Sequence, residues 1–373
     1  MKRFHGLGLW VTGLCGYAAA AAAQGDWAVY ETYSRFSPAI YSVSVEIPKD
    51  VILDRYEQSL GRLRNYQEGF NNLVSGTTKP VMGINQFETW FNQWERQLES
   101  LKNQMLKNNR FRGAAFAVDP HHLVTLSTVV NSATVGGEIL VSDDYDRVLK
   151  AEIQGVDPMS GVAVLKIIGA TLSDYIDLDR TVNTLPVASY IMTIQRPYEL
   201  PSSPFSGMIG GYFRRLNLFK LERYIQTDLP LYPGNEGSPV FSPSGQLIGM
   251  IATEYSLGRG PSLTFVIPSD IVADSAWAII ESGKRERGWI SGIDLKQVSD
   301  GILVENVSED SPAARSGLLQ GDLIIGFDGK RDPQAWNFIY HVLDAKPNDR
   351  IMIEIQRGSR RLSVVVVAGR KND

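Results

Sequence analysis

Apolar and polar residues alternate along residues 40–47 (IYSVSVEI), the period of a strand with one buried face. The period then changes. Ile52, Tyr56, Leu60, Leu63, Tyr66, Phe70 and Leu73 recur at steps of three and four, and so do Phe87, Trp90, Phe91, Trp94, Leu98, Leu101 and Met105. Such steps put each set on one stripe of a helix. The segment SGTTKP separates them with turn-forming residues. Two antiparallel helices are therefore expected over 49–109, whose wide aromatic faces must bury against each other, the barrel or a partner, with burial within the chain as the first expectation.

From Arg112 to about residue 267 the pattern becomes short and strand-like. AAFAV, HLVTLSTVV, EILVS, VLKAEIQGV, VAVLKI, YIMTI, SPVFS, QLIGMIA and LTFVI follow one another, parted by DP, SDD and SPSG. Closely spaced short strands with no repeated helix between them predict an all-β barrel or sandwich. Residues 268–284 read as a helix that begins at Pro268 and Ser269 and stops at Gly283. KRERG then reads as a charged connector. Residues 289–368 form a last unit of strands and two short helices. SPAARSGL takes Ser311 as N-cap and Pro312 at its first position, and WNFIYHVLDA is the second helix.

The N-terminus adds export. Lys2, Arg3 and His5 precede an apolar run that starts at Leu7 and closes on six alanines ending at Ala23. This is the build of a secretory signal peptide, with cleavage expected after Ala23. An uncleaved anchor is the alternative, since the run of about 17 residues sits at the lower limit for spanning a bilayer. Cys15 is the one cysteine, and Leu14 before it is not the small residue that lipid attachment needs. The mature chain then has no thiol for catalysis, disulfides or metal, so its stability rests on its core. Trp27, Tyr30, Tyr33 and Phe36 follow at steps of three, as a short helix or an aromatic arm.

Composition narrows the classes further. The 373 residues are 43% hydrophobic and 21% charged, with a formal net charge of −4, which gives nucleic acid no electrostatic reason to bind. No cluster of His, Asp and Glu has metal-ligand spacing, and no glycine-rich phosphate loop joins a strand to a helix. No metal or cofactor is expected. Asp143, Asp144 and Asp146 (SDDYD) read as a solvated hairpin turn rather than a calcium loop.

Four segments carry a resemblance to a known family. They are GAAFAVDPHHLVTLSTVV (113–130), GVDPMSGVAVLKI (155–167), IQTDLPLYPGNEGSPVFSPSGQLIGM (225–250) and LTFVIPSDIV (263–272). They resemble the Deg/HtrA family of trypsin-like serine proteases, in order, around its histidine, aspartate and serine. The resemblance implies a mostly β fold: a trypsin-like double β-barrel with a helical-hairpin insertion, followed by a PDZ domain of α+β build. It divides the chain into 1–23 (signal peptide or anchor), 24–48 (arm and first barrel strand), 49–109 (helical hairpin), 110–284 (double barrel) and 285–373 (PDZ domain).

The family's motifs read T-N-A-H-V-V, D-P-x-T-D-L-A-V-L-K and G-N-S-G-G-P. This chain reads TLSTVV, DPMSGVAVLK and GNEGSP. Thr128 stands for the histidine, Gly161 for the aspartate and Glu236 for the serine. A serine hydroxyl attacks only when a positioned imidazole takes its proton and a carboxylate holds that imidazole. Threonine supplies no base, glycine no side chain, and glutamate adds negative charge where an oxyanion would form. The backbone N–H groups of Gly234 and Glu236 would keep an oxyanion-hole-like turn, which alone leaves residual catalysis. Ser127 and Ser238 are the nearby hydroxyls. His121 and His122 sit at a hairpin tip, and His341 lies in the last unit. None pairs visibly with either serine.

GILVENVSEDSPAARSGLLQGDLIIGFDGKRD and RIMIEIQRGSRRLSVVVV resemble a PDZ domain of the same family. Such domains add an extended peptide to a sheet edge and hold its C-terminal carboxylate on backbone N–H groups. The holding loop falls at Trp289, Ile290, Ser291, Gly292 and Ile293, where Ser291 either replaces the family's glycine or is inserted before Gly292. The expected function is an exported, periplasmic or extracellular pseudoprotease that binds exported polypeptides or C-terminal peptides, or assembles with active relatives. A trimer through the N-terminal aromatics is the expected oligomer. The alternative is a serine endopeptidase of protein quality control with a non-standard site.

Overall fold

The computed structural model describes residues 28–75, 84–181, 185–216, 218–219, 221–255, 262–331 and 334–370. The proposed signal peptide or anchor and Trp27 lie outside them. No helix among the described residues is long and apolar enough to cross a membrane. The chain divides into two compact units after Gly283.

The first unit begins with helix α1 (28–36). Strand β1 (Ile40–Glu46) follows, and α2 (Lys49–Ser75) and α3 (Ile84–Lys107) come before β2 (Arg110–Ala117). Then come β3 (His122–Leu126), α4 (Ser127–Val130), β4 (Glu138–Ser142), β5 (Val148–Val156) and β6 (Val162–Ile168). Six of these strands close a barrel in the order β1-β2-β3-β6-β5-β4. Strands β7 (Tyr190–Gln195), β8 (Ser203–Arg214), β9 (Tyr224–Thr227), β10 (Pro239–Phe241), β11 (Leu247–Tyr255) and β12 (Leu263–Pro268) close a second, in the order β10-β11-β12-β9-β8-β7. Closure removes free sheet edges.

Helix α5 (Ser269–Ser282) packs on β5 and β6 of the first barrel and on β11 and β12 of the second. That is why Val162, Ala163, Val164 and Leu165 are buried in succession and show no alternation. Strand β8 went unread in the sequence. Its run SPFSGMIGGYFR holds a proline and three glycines, which locally signal turns. Its register with β7 is nevertheless unbroken from Tyr190↔Met208 to Gln195↔Ser203.

The hairpin of α2 and α3 is antiparallel as its periodicity predicts. Tyr56 Oη donates to Glu99 Oε2 at 2.6 Å, and the Phe70 and Phe87 rings stack 3.8 Å apart farther along. The hydrogen bond to Glu99, first among the causes, pushes the Tyr56 phenol up to about 12. Burial of the whole aromatic face does not occur. Ile52, Leu60 and Phe91 are buried, but Tyr66, Trp90, Trp94 and Leu101 are exposed. A two-helix arm gives each helix one neighbour, so the stripe is covered along one line only.

Helix α1 lies on the second barrel. Phe36 is buried and stacks on Phe241 with ring centroids 4.8 Å apart and planes 4° from parallel. Tyr33 Oη donates to the Ser202 carbonyl at 2.8 Å. Two aromatics expected to serve an oligomer therefore pack inside the chain, and Tyr30 stays exposed.

The second unit is a five-stranded sheet in the order β13 (Ile293–Val298), β14 (Gly301–Val307), β15 (Leu323–Phe327), β16 (Arg350–Arg357), β17 (Arg360–Val367). Ser311 caps the short α6 (Pro312–Arg315) by accepting from Ala314 N–H at 3.1 Å, as its sequence predicts. Helix α7 (Ala335–Asp344) packs Phe338 and Val342 into the core with Ile302, Val304, Ile324 and Ile353. The KRERG segment is more than a solvated connector. Arg285 and Arg287 are buried, and donate to the Asp344 carbonyl at 2.9 Å and the Leu343 carbonyl at 3.2 Å. Cations at the carbonyl end of α7 satisfy groups the helix leaves unpaired and complement its dipole.

Candidate functional site

The three segments expected to carry the triad converge where β2 and β3 meet the loop before β10. Ala114 N–H donates to the Glu236 carbonyl at 2.8 Å, and Thr125 Oγ1 donates to the Ala114 carbonyl at 2.7 Å. Ser127 N–H donates to the Gly161 carbonyl at 2.8 Å. Thr128, in α4, is thus adjacent to the Gly161 turn, and Glu236 is bound to β2 at Ala114. Thr128 is exposed and Glu236 half-buried.

The Gly161 turn is built on Asp157. Its fully buried carboxylate accepts from Ser160 Oγ at 2.7 Å, Ser275 Oγ at 2.9 Å and Met159 N–H at 3.0 Å. Gly161 itself has a φ of +82°, and a Cβ added there would lie 2.2 Å from Cε2 of Phe219. The Phe219 ring fills the space a side chain at 161 would use. The segment bearing it is anchored by Leu221 N–H to the Met159 carbonyl at 2.7 Å and by Glu222, whose carboxylate accepts from Leu216 and Leu218 N–H at 3.1 and 2.5 Å.

Around Glu236 the loop is held from below. Asn235 is buried and its Oδ1 accepts from Arg196 N–H at 2.7 Å. The Arg196 guanidinium, also buried, lies 3.0 Å from Asp144 Oδ1, which also accepts from Ser202 N–H and Oγ at 2.9 Å. Asp143 accepts from Tyr145 and Arg147 N–H, both at 3.0 Å. The SDDYD turn is therefore a structural tie between the two barrels rather than a solvated loop. The N–H groups of Gly234 and Glu236 donate to no acceptor among the described residues. They border a cavity of about 630 Å³ whose wall also holds Lys107, Arg110, Arg112 and Tyr198.

The alternative nucleophiles are poorly placed. Ser238 is fully buried in the second barrel and its Oγ meets no hydrogen-bond partner. Ser127 is buried as well. Among the described residues no histidine or lysine hydrogen-bonds either hydroxyl. His122 Nδ1 lies 2.8 Å from Asp119 Oδ2 at the opposite end of β3 from α4, and His341 Nε2 lies 2.6 Å from Asp328 Oδ2 in the second unit.

That unit has its own groove. Among the described residues strand β13 pairs only with β14, so no strand covers its outer edge there. Trp289, Ile290, Ile293, Leu295, Phe338 and Ile339 line a cavity of about 260 Å³ between β13 and α7. In the loop before β13 Gly292 takes a φ of +74°, and a Cβ there would lie 2.2 Å from Ser311 Cβ. Gly292, not Ser291, carries the conformation that demands glycine.

Comparison with known proteins agrees with both units. Residues 113–250 match the trypsin-like peptidase domain family, and residues 291–367 match the PDZ domain family. A protein of Pseudomonas savastanoi pv. phaseolicola named as a probable periplasmic serine endoprotease DegP-like is 30% identical over 282 residues, covering 72% of this chain and 58% of that protein. One of the same name from Halomonas elongata is 30% identical over 282 residues, covering 70% and 57%. The chain carries a trypsin-like peptidase domain and a PDZ domain in the order of the Deg/HtrA proteins it resembles. It spans less than two thirds of the length of these curated relatives. The HtrA-type protease AlgW with tripeptide superposes with a TM-score of 0.66 at 22% identity, covering 92% of this chain and 97% of that one. The serine endoprotease from Yersinia pestis gives 0.57 at 21%. At that identity the likeness is one of fold.

Within this Deg/HtrA-like chain, sequence reasoning located the segments around Thr128, Gly161 and Glu236 and the groove loop at 289–293. It missed Phe219, the Asp144–Arg196 tie and the linker arginines. Phe219 is 58 positions beyond Gly161 in the chain. No local pattern joins them.

Proposed function

We propose that this chain is an exported Deg/HtrA-type pseudoprotease: a peptide- and protein-binding module whose barrel no longer hydrolyses peptides. The observation that carries the reading is Phe219 packed against Gly161. Three substitutions remove the base, its orienting acid and the nucleophile, and the aromatic ring occupies the room where the orienting acid would stand. A proton-transfer chain needs all three groups in hydrogen-bond reach. Export rests on the positive, apolar and small-residue order of the first 23 residues and on the similarity to probable periplasmic endoproteases.

The test is an activity assay on purified mature protein, with an unfolded casein substrate and a serine-directed fluorophosphonate. Neither cleavage nor labelling is expected. Cleavage that vanishes in Ser238→Ala or Ser127→Ala would replace this reading with that of an endopeptidase using a rebuilt site.

The PDZ groove is the first binding surface under this proposal. An extended peptide would add to the open edge of β13, with its apolar C-terminal side chain between Trp289, Phe338 and Ile339 and its carboxylate on the 289–293 loop. Ile339 is 44% exposed, so Ile339→Arg should leave the fold intact while filling the groove. Titration of a labelled peptide with a free apolar C-terminus should show affinity weakened at least tenfold, about 1.4 kcal/mol. Unchanged affinity would remove this groove from the binding role. An assembly of copies, expected to be trimeric, would use Tyr30, the exposed aromatic of α1 among the described residues.

A further inference from the structure

The cavity beside Glu236 differs in sign from the rest of the molecule. The chain as a whole carries a formal charge of −4. Among the described residues the cavity wall presents Lys107, Arg110 and Arg112, all exposed, with Glu236 as its one carboxylate, and Arg112 is already engaged within the chain. Arg196 also lines it, but Asp144 at 3.0 Å already balances that charge. Glu46 lies 3.6 Å from Arg110, in a pair with both side chains more than two fifths exposed, which gives little neutralisation in water.

Two further features point to an occupant. The N–H groups of Gly234 and Glu236 border the same space without an acceptor among the described residues. On the rim, Tyr198 holds a left-handed backbone at φ 56° and ψ 30° and is 69% exposed. Non-glycine residues carry such strain, about 1–3 kcal/mol, chiefly at functional sites. Its ring stands edge-on to Tyr232 at 6.3 Å, an aromatic shelf beside the cationic wall.

We infer that this cleft binds an acidic, extended polypeptide segment in place of a cleavable substrate. The inference rests on the reading of the barrel as a binding module and names the class of its ligand. Carboxylates of the segment would meet Lys107 and Arg110, and a volume of about 630 Å³ accommodates a few residues. The cationic wall comes from the foot of the helical hairpin, where α3 ends and β2 begins. A charged surface of this kind attracts its ligand through long-range forces that salt screens.

The experiment uses the purified chain and a fluorescein-labelled peptide of alternating Glu and Val with an amidated C-terminus, which removes the carboxylate a PDZ loop would hold. Anisotropy should show the Glu peptide binding at least tenfold tighter than its Gln counterpart at low salt. That preference should fade between 50 and about 500 mM salt as the screening length shrinks toward a few Å. It should be lost in Lys107→Glu/Arg110→Glu and kept in Ile339→Arg. Equal binding of both peptides, no binding at any salt, or loss in Ile339→Arg with retention in the cleft variant would overturn the inference. The salt series and the Gln peptide decide the matter even if the double variant fails to fold. Mass spectrometry of the incubated peptide separates the two proposals: cleavage contradicts the pseudoprotease, whereas an intact, unbound peptide contradicts only the cleft assignment.

Discussion

Asp157→Ala should lower the stability of the barrel unit by about 4 kcal/mol. The carboxylate is fully buried and accepts from two buried hydroxyls, Ser160 and Ser275, and from the Met159 N–H. Alanine removes the shared acceptor; one of the two hydroxyls, 3.1 Å apart, can still donate to the other, which leaves two donors unsatisfied at about 1–3 kcal/mol each. Release of a charge that was costly to bury offsets part of that sum. The loss reaches beyond one turn, because Ser275 belongs to α5, the helix that packs on both barrels. Urea denaturation followed by tryptophan fluorescence measures the effect, with exposed Glu152→Ala as the control. Equal midpoints for the two variants would show that the Asp157 network contributes nothing. Asp157→Asn keeps one carbonyl oxygen and should fall between them.

Gly237→Ala should destabilise the same unit by about 3 kcal/mol. At φ +94° an added Cβ would lie 2.2 Å from the carbonyl oxygen of Ala114, a backbone atom of β2 inside a closed barrel. The left-handed conformation costs a residue with a Cβ about 1–2 kcal/mol. Relieving the overlap costs about 1–3 kcal/mol more, since a strand in a closed sheet cannot swing aside as a side chain can. Gly237 follows Glu236, whose carbonyl accepts from Ala114, so the variant should also reduce binding of the acidic peptide in the cleft. A melting temperature within 1 °C of the parent, about what a few tenths of a kcal/mol would produce, would contradict the argument.

The contrast between Gly161 and Gly237 shows why the site was partly legible in the sequence. Both lie in segments that resemble family motifs, so their neighbourhood was readable. At Gly237 the obstacle is the Ala114 carbonyl, backbone of the strand β2. At Gly161 it is Phe219, a side chain on a separate loop. Nothing in the order of residues near either position announces that ring.

The strands followed the same division. Those with β-branched runs, such as VAVLKI and LTFVI, were visible because their own side chains favour a pleated, buried surface. Strand β8 was not, because its glycines and proline have no such preference, and it pairs because closing the second barrel supplies partners on both edges. The aromatic stripe of the hairpin was visible as a stripe. Which of its members would be covered depended on how many neighbours a projecting arm has.

The sequence by itself determined the two β-rich units, the helical insertion, the caps at Ser311 and Gly283, and the residues standing at 128, 161 and 236. Local periodicity, turn chemistry and motif spacing are properties of neighbouring residues. Only the tertiary structure decided that Phe219 fills the space beside Gly161 and that Arg196 and Asp144 tie the barrels together. It also decided that Arg285 and Arg287 clasp the end of α7, and that Lys107 and Arg110 share one cleft of a net-negative chain. Each of these depends on groups far apart in the chain being brought within a few ångströms, a proximity that folding creates and local sequence does not encode.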